Sequence, residues 1–274
     1  MAEIRRTWAL LAVMMLLSAP LPGAEFSLQW QQWAAADTDA GDGDSDVPRE
    51  YYGISYRHQM GPYQQHWLYS YEPIRLRAGE PASNSHLHRF RGETGARWGD
   101  WHLDLGVGVH GSSNRFKYQR FHEDMLVGEV AVIYGVSAPY LPAPGIAGDY
   151  RFGPFRWYPR LRWDGSVHDW QWRLDLPVAI TLSSPEKRWQ FAFERIGDKW
   201  SVLDQDREIR SKVYRHEWQL LARHRVWQHR EQGPWLELGA GGSFSTRLEY
   251  LDLESGRRNE SLGNAVFGQV RLGW

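Results

Sequence analysis

Residues 169–182 read Asp-Trp-Gln-Trp-Arg-Leu-Asp-Leu-Pro-Val-Ala-Ile-Thr-Leu. The even positions are Trp170, Trp172, Leu174, Leu176, Val178, Ile180 and Leu182; the odd ones are Asp169, Gln171, Arg173, Asp175, Pro177, Ala179 and Thr181. Successive side chains of a strand point to opposite faces, so period two gives one apolar face and one mostly polar face. Held over fourteen residues, the pattern outruns the usual soluble strand of about 5–6. It suits a strand crossing a bilayer at a tilt, which needs about 9–11. The expectation is one long membrane strand.

The same alternation recurs on both sides of this stretch. Trp101, Leu103, Leu105, Val107 and Val109 oppose His102, Asp104, Gly106 and Gly108; Val130, Val132, Tyr134 and Val136 oppose Glu129, Ala131 and Gly135. Further on, Tyr214, His216, Trp218, Leu220, Ala222, His224 and Val226 oppose Arg215, Glu217, Gln219, Arg223 and Arg225. Leu236, Leu238, Ala240 and Phe244 alternate with Glu237, Gly239 and Gly241. The last strand sets Val266, Gly268, Val270, Leu272 and Trp274 against Ala265, Phe267, Gln269, Arg271 and Gly273. Gly99-Asp100, Asp164-Gly165 and Gly197-Asp198 are dipeptides that favour hairpin turns. Together these features predict an all-β, antiparallel transmembrane barrel of about twelve strands, with ten or fourteen as the bounds. Aromatic belts are expected to include Trp98, Trp101, Trp170, Trp218 and Trp274.

Composition supports that class. Aromatic residues make up 14% of the 274-residue chain, with 16 Trp, beside a mean hydropathy of −0.59. A helical membrane bundle is far more hydrophobic, whereas strands alternating aromatic and polar residues combine both figures. Net charge is −1, so no global field points to nucleic acid. There are no cysteines, which removes disulfides, thiolate metal sites and a lipidated cysteine.

Arg5 and Arg6 precede the apolar run Trp8–Leu17, and Ser18-Ala19-Pro20 and Leu21-Pro22-Gly23-Ala24 follow it. This order reads as a secretory signal peptide over residues 1–24, leaving 25–274 as the barrel with an acidic loop near 35–48. Ten apolar residues fall short of the ~20 of a spanning helix. The expected location is the outer membrane, among outer-membrane lipid and lipopolysaccharide. A strand ending on Trp274 resembles the signal that such barrels present to their assembly machinery.

Several stretches resemble a family of small, functionally uncharacterised outer-membrane barrel proteins of proteobacteria. They are the Tyr140-Leu141-Pro142-Ala143-Pro144-Gly145-Ile146 loop, the strand into Leu176-Pro177, the Trp189/Phe191/Phe193 to Trp200 hairpin, and Gly239 to Arg247-Leu248-Glu249-Tyr250. The likeness spans Tyr140 to Trp274. It implies a barrel in the outer membrane and no activity.

With polar faces inward, the lumen is expected to hold Asp104, Glu129, Arg160, Arg162, Arg173, Asp175, Arg215, Glu217, Arg223, Arg225, Glu237 and Arg271. Such a set makes either a salt-bridged plug or a narrow arginine-rich pore favouring anions. The function expected is a structural or narrow-channel barrel with no cofactor. Two alternatives stand beside it. One is a lipid hydrolase using His110 and Ser112, two apart on one strand face, with His as base and a third group such as Asn114 as orienter; a plain polar loop after the strand is the commoner meaning. The other is a soluble periplasmic β-protein binding a ligand. His86 and His88 share a face, but no third metal ligand has supporting spacing. The acidic run Asp37–Asp46 lacks the Gly and Glu of a calcium loop, with Val47 and Gly53 in their places.

Overall fold

The computed structural model describes residues 24–34, 49–73, 86–135, 140–203, 210–229, 233–252 and 256–274. Residues 1–23 of the expected signal peptide and the acidic run Asp37–Asp46 lie outside them. The described strands are β1 (Ala24–Trp33), β2 (Glu50–Met60), β3 (Tyr63–Pro73), β4 (His86–Trp98), β5 (Trp101–Ser112), β6 (Leu126–Tyr134), β7 (Ala143–Asp149) and β8 (Arg156–Val167). They continue as β9 (Trp170–Leu176), β10 (Ala179–Ser183), β11 (Trp189–Leu203), β12 (Arg210–Gln228), β13 (Trp235–Asp252), β14 (Gly256–Leu262) and β15 (Ala265–Gly273). Each of β1 to β13 pairs with its sequence neighbours, and β15 pairs with both β13 and β1. The sheet therefore closes on itself through β13, β15 and β1, while β14 pairs only with β13 among the described strands.

β15 faces the first half of β13, and β14 faces its second half. The two are lengths of one broken stave, so the ring has fourteen staves rather than the expected twelve. The start of β1 and the end of β15 lie at one rim, where Phe26 and Trp274 exchange backbone hydrogen bonds of 2.9 and 3.0 Å. The links at this rim include Gly61-Pro62, Gly99-Asp100 and His168-Asp169. We call it the turn end and the opposite rim the loop end.

Three local expectations are corrected. The run 169–182 is a hairpin rather than one strand: Asp175 pairs with Ala179, leaving only residues 176–178 as the turn. An odd-numbered turn returns the chain on the same parity, so alternation passes through it unbroken. Asp164-Gly165 lies inside β8, and the turn falls at His168-Asp169, both with positive φ. Gly197-Asp198 lies inside the fifteen-residue β11, so residues 189–200 form no hairpin. In both cases the glycine marks a close approach. A Cβ on Gly165 would run into the Trp172 ring, and one on Gly197 into the Arg151 backbone. Gly99-Asp100 is a turn as expected, with Gly99 at φ +57°.

The distribution of side chains is inverted relative to a soluble domain. Leu105, Val107, Leu126, Leu220, Leu238 and Val266 are exposed, whereas Glu72, Arg115, Asp198, Arg215 and Glu217 are buried. Exposed aliphatics from β5 onward, with Trp30, Trp67 and Phe90 exposed on β1 to β4, require an apolar solvent outside. Aromatics gather at the turn end: Tyr63 meets Trp98, Trp101 meets Tyr134 and Phe26 meets Trp274, with ring centroids 6.5, 4.8 and 5.0 Å apart. Trp170 stacks near Phe191 at the same rim. Trp218 sits further up the wall, stacked on Phe193 at 4.9 Å.

The wall is uneven. β9 and β10 span seven and five residues, while β11 and β12 span fifteen and nineteen. Above Glu194, β11 has lost its β10 partner and leans across the lumen, where Ser201 pairs in parallel with Gly111 of β5. Residues 197–203 are buried as a result. β5 and β11 stand six staves apart in the full ring, so their contact pinches the loop end to a smaller cross-section.

Candidate functional site: a closed mouth above an arginine-rich vestibule

The pinch is held by polar groups from both walls. His110 Nδ1 lies 3.0 Å from Asp198 Oδ1 and 3.1 Å from the Lys199 carbonyl. Ser112 Oγ accepts from the Leu203 N–H at 3.2 Å. From the short helix Ser113–Lys117, Asn114 Nδ2 donates to the Leu203 carbonyl at 3.1 Å and Arg115 Nη2 to Ser201 Oγ at 2.9 Å. Behind this seam Leu87, Trp200, Val202, Val213 and Leu248 form a buried apolar cluster.

Ion pairs surround the cluster. Arg89 Nη1 lies 2.6 Å from Asp198 Oδ2, and its Nη2 lies 3.2 Å from Glu72 Oε1. Glu72 is also gripped by Arg215. Arg49 holds Glu217 with two bonds of 2.6 Å, and Thr246 Oγ1 and Gln219 Nε2 donate to the same carboxylate at 3.0 and 2.8 Å. Each buried carboxylate here has at least one guanidinium partner, which the cost of removing both charges from water requires.

Below the mouth the charges are arranged differently. Arg91 pairs with Glu129. Arg160 takes Asp175 with two bonds of 2.5 Å and stands 3.8 Å from Asp104. Asp164 is shared by Arg162 at 3.3 Å and Arg173 at 2.6 Å. Glu237 is shared by Arg225 at 2.8 Å and Arg271 at 3.1 Å, both stacked over Trp235. Arg223 bonds only to the amide oxygens of Gln269 and Gln190, at 2.8 and 3.0 Å. These residues surround two cavities of about 300 and 590 Å³, the larger toward the turn end.

Of the twelve residues expected in the lumen, Arg215 and Glu217 fall in the closed mouth, and Asp104, Glu129, Arg160, Arg173, Arg225, Glu237 and Arg271 line the two cavities. Arg162, Asp175 and Arg223 line neither and are bonded to Asp164, Arg160 and Gln190 beside them. Sequence reading missed their partners Arg49, Glu72, Arg89, Arg91 and Asp198. Arg89 and Arg91 were within reach, since they alternate with His86, His88 and Phe90 on β4. Asp198 was hidden by its reading as a turn.

The His110/Ser112 hydrolase pair is corrected. Both side chains are fully buried in the lumen. Ser112 Oγ is bonded to a backbone N–H, and His110 Nε2 has no hydrogen-bond partner, so no base contacts the hydroxyl. His88 also does other work. On the outer face it shares with exposed Phe90, its Nε2 is bonded to Ser113 Oγ at 2.7 Å and its Nδ1 to Tyr69 Oη at 3.0 Å. Among the described residues no cluster of three metal-ligating side chains occurs.

No family model matches the chain, and no curated protein does. Similar solved structures include a bacterial polysaccharide outer-membrane secretin, at 10% identity over 92% of this chain and 97% of that one, TM-score 0.38. OccK1 (OpdK) of Pseudomonas aeruginosa is similar at 8% identity, over 93% of this chain and 100% of that one, TM-score 0.35. A BenF-like porin from Pseudomonas fluorescens Pf-5 is similar at 7% identity, over 92% and 97%, TM-score 0.29. No residue role is carried over from them.

Proposed function

We propose that this chain is an outer-membrane β-barrel that forms a narrow channel closed at rest. The turn end, with the start of β1 and the end of β15, faces the periplasm, and the loop end faces outward. The observation that carries the reading is the β5–β11 seam, with Trp200 and the Arg89–Asp198 pair filling the lumen behind it. A barrel serving only as a scaffold has no need of a second, smaller ring at one mouth above an open, charged space.

The test is planar-bilayer recording of the refolded barrel, with folding confirmed by a heat-modifiable shift on a gel. Wild type is expected to be silent or to open rarely, whereas Gly111→Pro, which sets a ring where β5 meets Ser201 of β11, gives frequent unitary steps. Large, stable steps from wild type would show that the mouth is open and sink the proposal. Continued silence in the seam variant would favour a permanent plug.

A further inference from the structure

We infer that the turn-end vestibule is a binding site for a small, multiply charged oxyanion, with Arg57 as its principal ligand. The site rests on the closed ring of the channel reading but does not depend on whether the loop-end mouth opens.

The lumen is polarised in charge. At the mouth the guanidiniums of Arg49, Arg89 and Arg215 face the carboxylates of Glu217, Asp198 and Glu72, one for one. At the turn end the ratio changes. Asp164 serves two arginines, Glu237 serves two more, and Arg223 is met only by amides. Around the larger cavity three carboxylates, Glu25, Asp164 and Glu237, thus stand against five cations, Arg57, Arg173, Lys187, Arg225 and Arg271.

Arg57 is the unusual member. It lines both cavities, at their junction. Among the described residues its guanidinium has neither an ion pair nor a hydrogen bond. Lys187, in the turn between β10 and β11, also lines the larger cavity and is likewise unpaired there. Glu25 opposes Arg57 in the β1–β2 register and lines the same cavity, yet forms no ion pair with it. An excess of cations in a water-filled space walled by protein attracts counter-ions, and low-dielectric walls strengthen that attraction. Guanidiniums present planar forks that match the oxygens of carboxylate or phosphate. A cavity of about 590 Å³ is of ligand-site size and leaves room for the ion with bridging water.

The ligand chemistry is two or more oxyanion charges on a small frame, as in a tricarboxylate or phosphate. Isothermal titration of the refolded, gel-verified barrel with citrate, and separately with inorganic phosphate, tests it. Wild type is expected to bind at least one saturably, with affinity falling as salt rises. Citrate alone, or phosphate alone, assigns the frame. Arg57→Gln is expected to weaken binding about tenfold, as loss of a charge-assisted bond does. Lys187→Gln, in a turn outside the ladders, is expected to weaken it two- to threefold and keeps the test open should Arg57→Gln misfold. No saturable heat with either ion in the folded wild type overturns the inference, as does unchanged affinity in both variants. A preparation lacking the gel shift would instead count against the barrel itself.

Discussion

Trp200→Ala measures how tightly the mouth is packed. The indole is 1% exposed, belongs to the cluster of Leu87, Val202, Val213 and Leu248, and lies between two guanidiniums, Arg89 at 5.5 Å and Arg215 at 4.9 Å. Burying about 200 Å² of such a ring at ~25 cal/mol/Å² is worth about 5 kcal/mol. Truncations of buried Phe or Trp to Ala cost about 3–5 kcal/mol. Each cation–π contact adds roughly 0.5–2 kcal/mol, offset in part by water entering the gap and solvating the freed arginines. We expect a loss near 4 kcal/mol. The assay is urea unfolding of the barrel in vesicles, followed by the heat-modifiable gel shift so that losing a fluorophore does not confound it. A loss below about 1 kcal/mol would show that the indole fills a loose, hydrated mouth, and the closed-channel argument would fall with it.

Three further outcomes follow from the same geometry. Leu220→Arg, on the outer face of β12, is expected to cost about 2–4 kcal/mol near the bilayer midplane; an unchanged urea midpoint would mean that this face does not meet lipid. Asp198→Asn strips a buried partner from Arg89 and His110 and should cost about 3–5 kcal/mol, whereas a small change would show that both groups are hydrated. At the loop-end rim, burial pushes the Asp124 carboxyl up, but the Lys212 ammonium, 2.6 Å away, outweighs it and holds the carboxyl below its usual range. A depressed carboxylate stabilises the fold above its unfolded pKa and ceases to as pH falls through the folded value. Lys212→Ala is therefore expected to lose about 0.2–1 kcal/mol at neutral pH and nothing in strong acid; an equal loss at both would refute the pairing.

The barrel was legible because strand alternation is local. Trp101 to Val109 and Val266 to Leu272 display their two faces without help from the rest of the chain. What stayed hidden was non-local. The turn at 176–178 preserves parity, so nothing in the pattern of 169–182 announces it. Gly165 and Gly197 carry the same dipeptide signal as a hairpin, yet their small size serves an indole in one case and the Arg151 backbone in the other. The lumenal arginines could be enumerated from alternation, but not their sharing of carboxylates, which depends on register across several strands. The seam lay furthest from view, since His110 and Lys199 meet across 89 positions of sequence.

That separation in sequence orders events during assembly. β1 to β10 can pair successively, each with the strand just before it, without any contact that defines the pinched mouth. The narrow ring waits for β11, and its apolar filling waits for β12 and β13, which supply Val213 and Leu248. Until then the growing sheet holds Glu72 and Arg89 with only each other as partner, and His110 without Asp198, on a concave surface. A partly assembled barrel is therefore both wide and hydrated, and expulsion of water from the mouth becomes one of the last steps of its making.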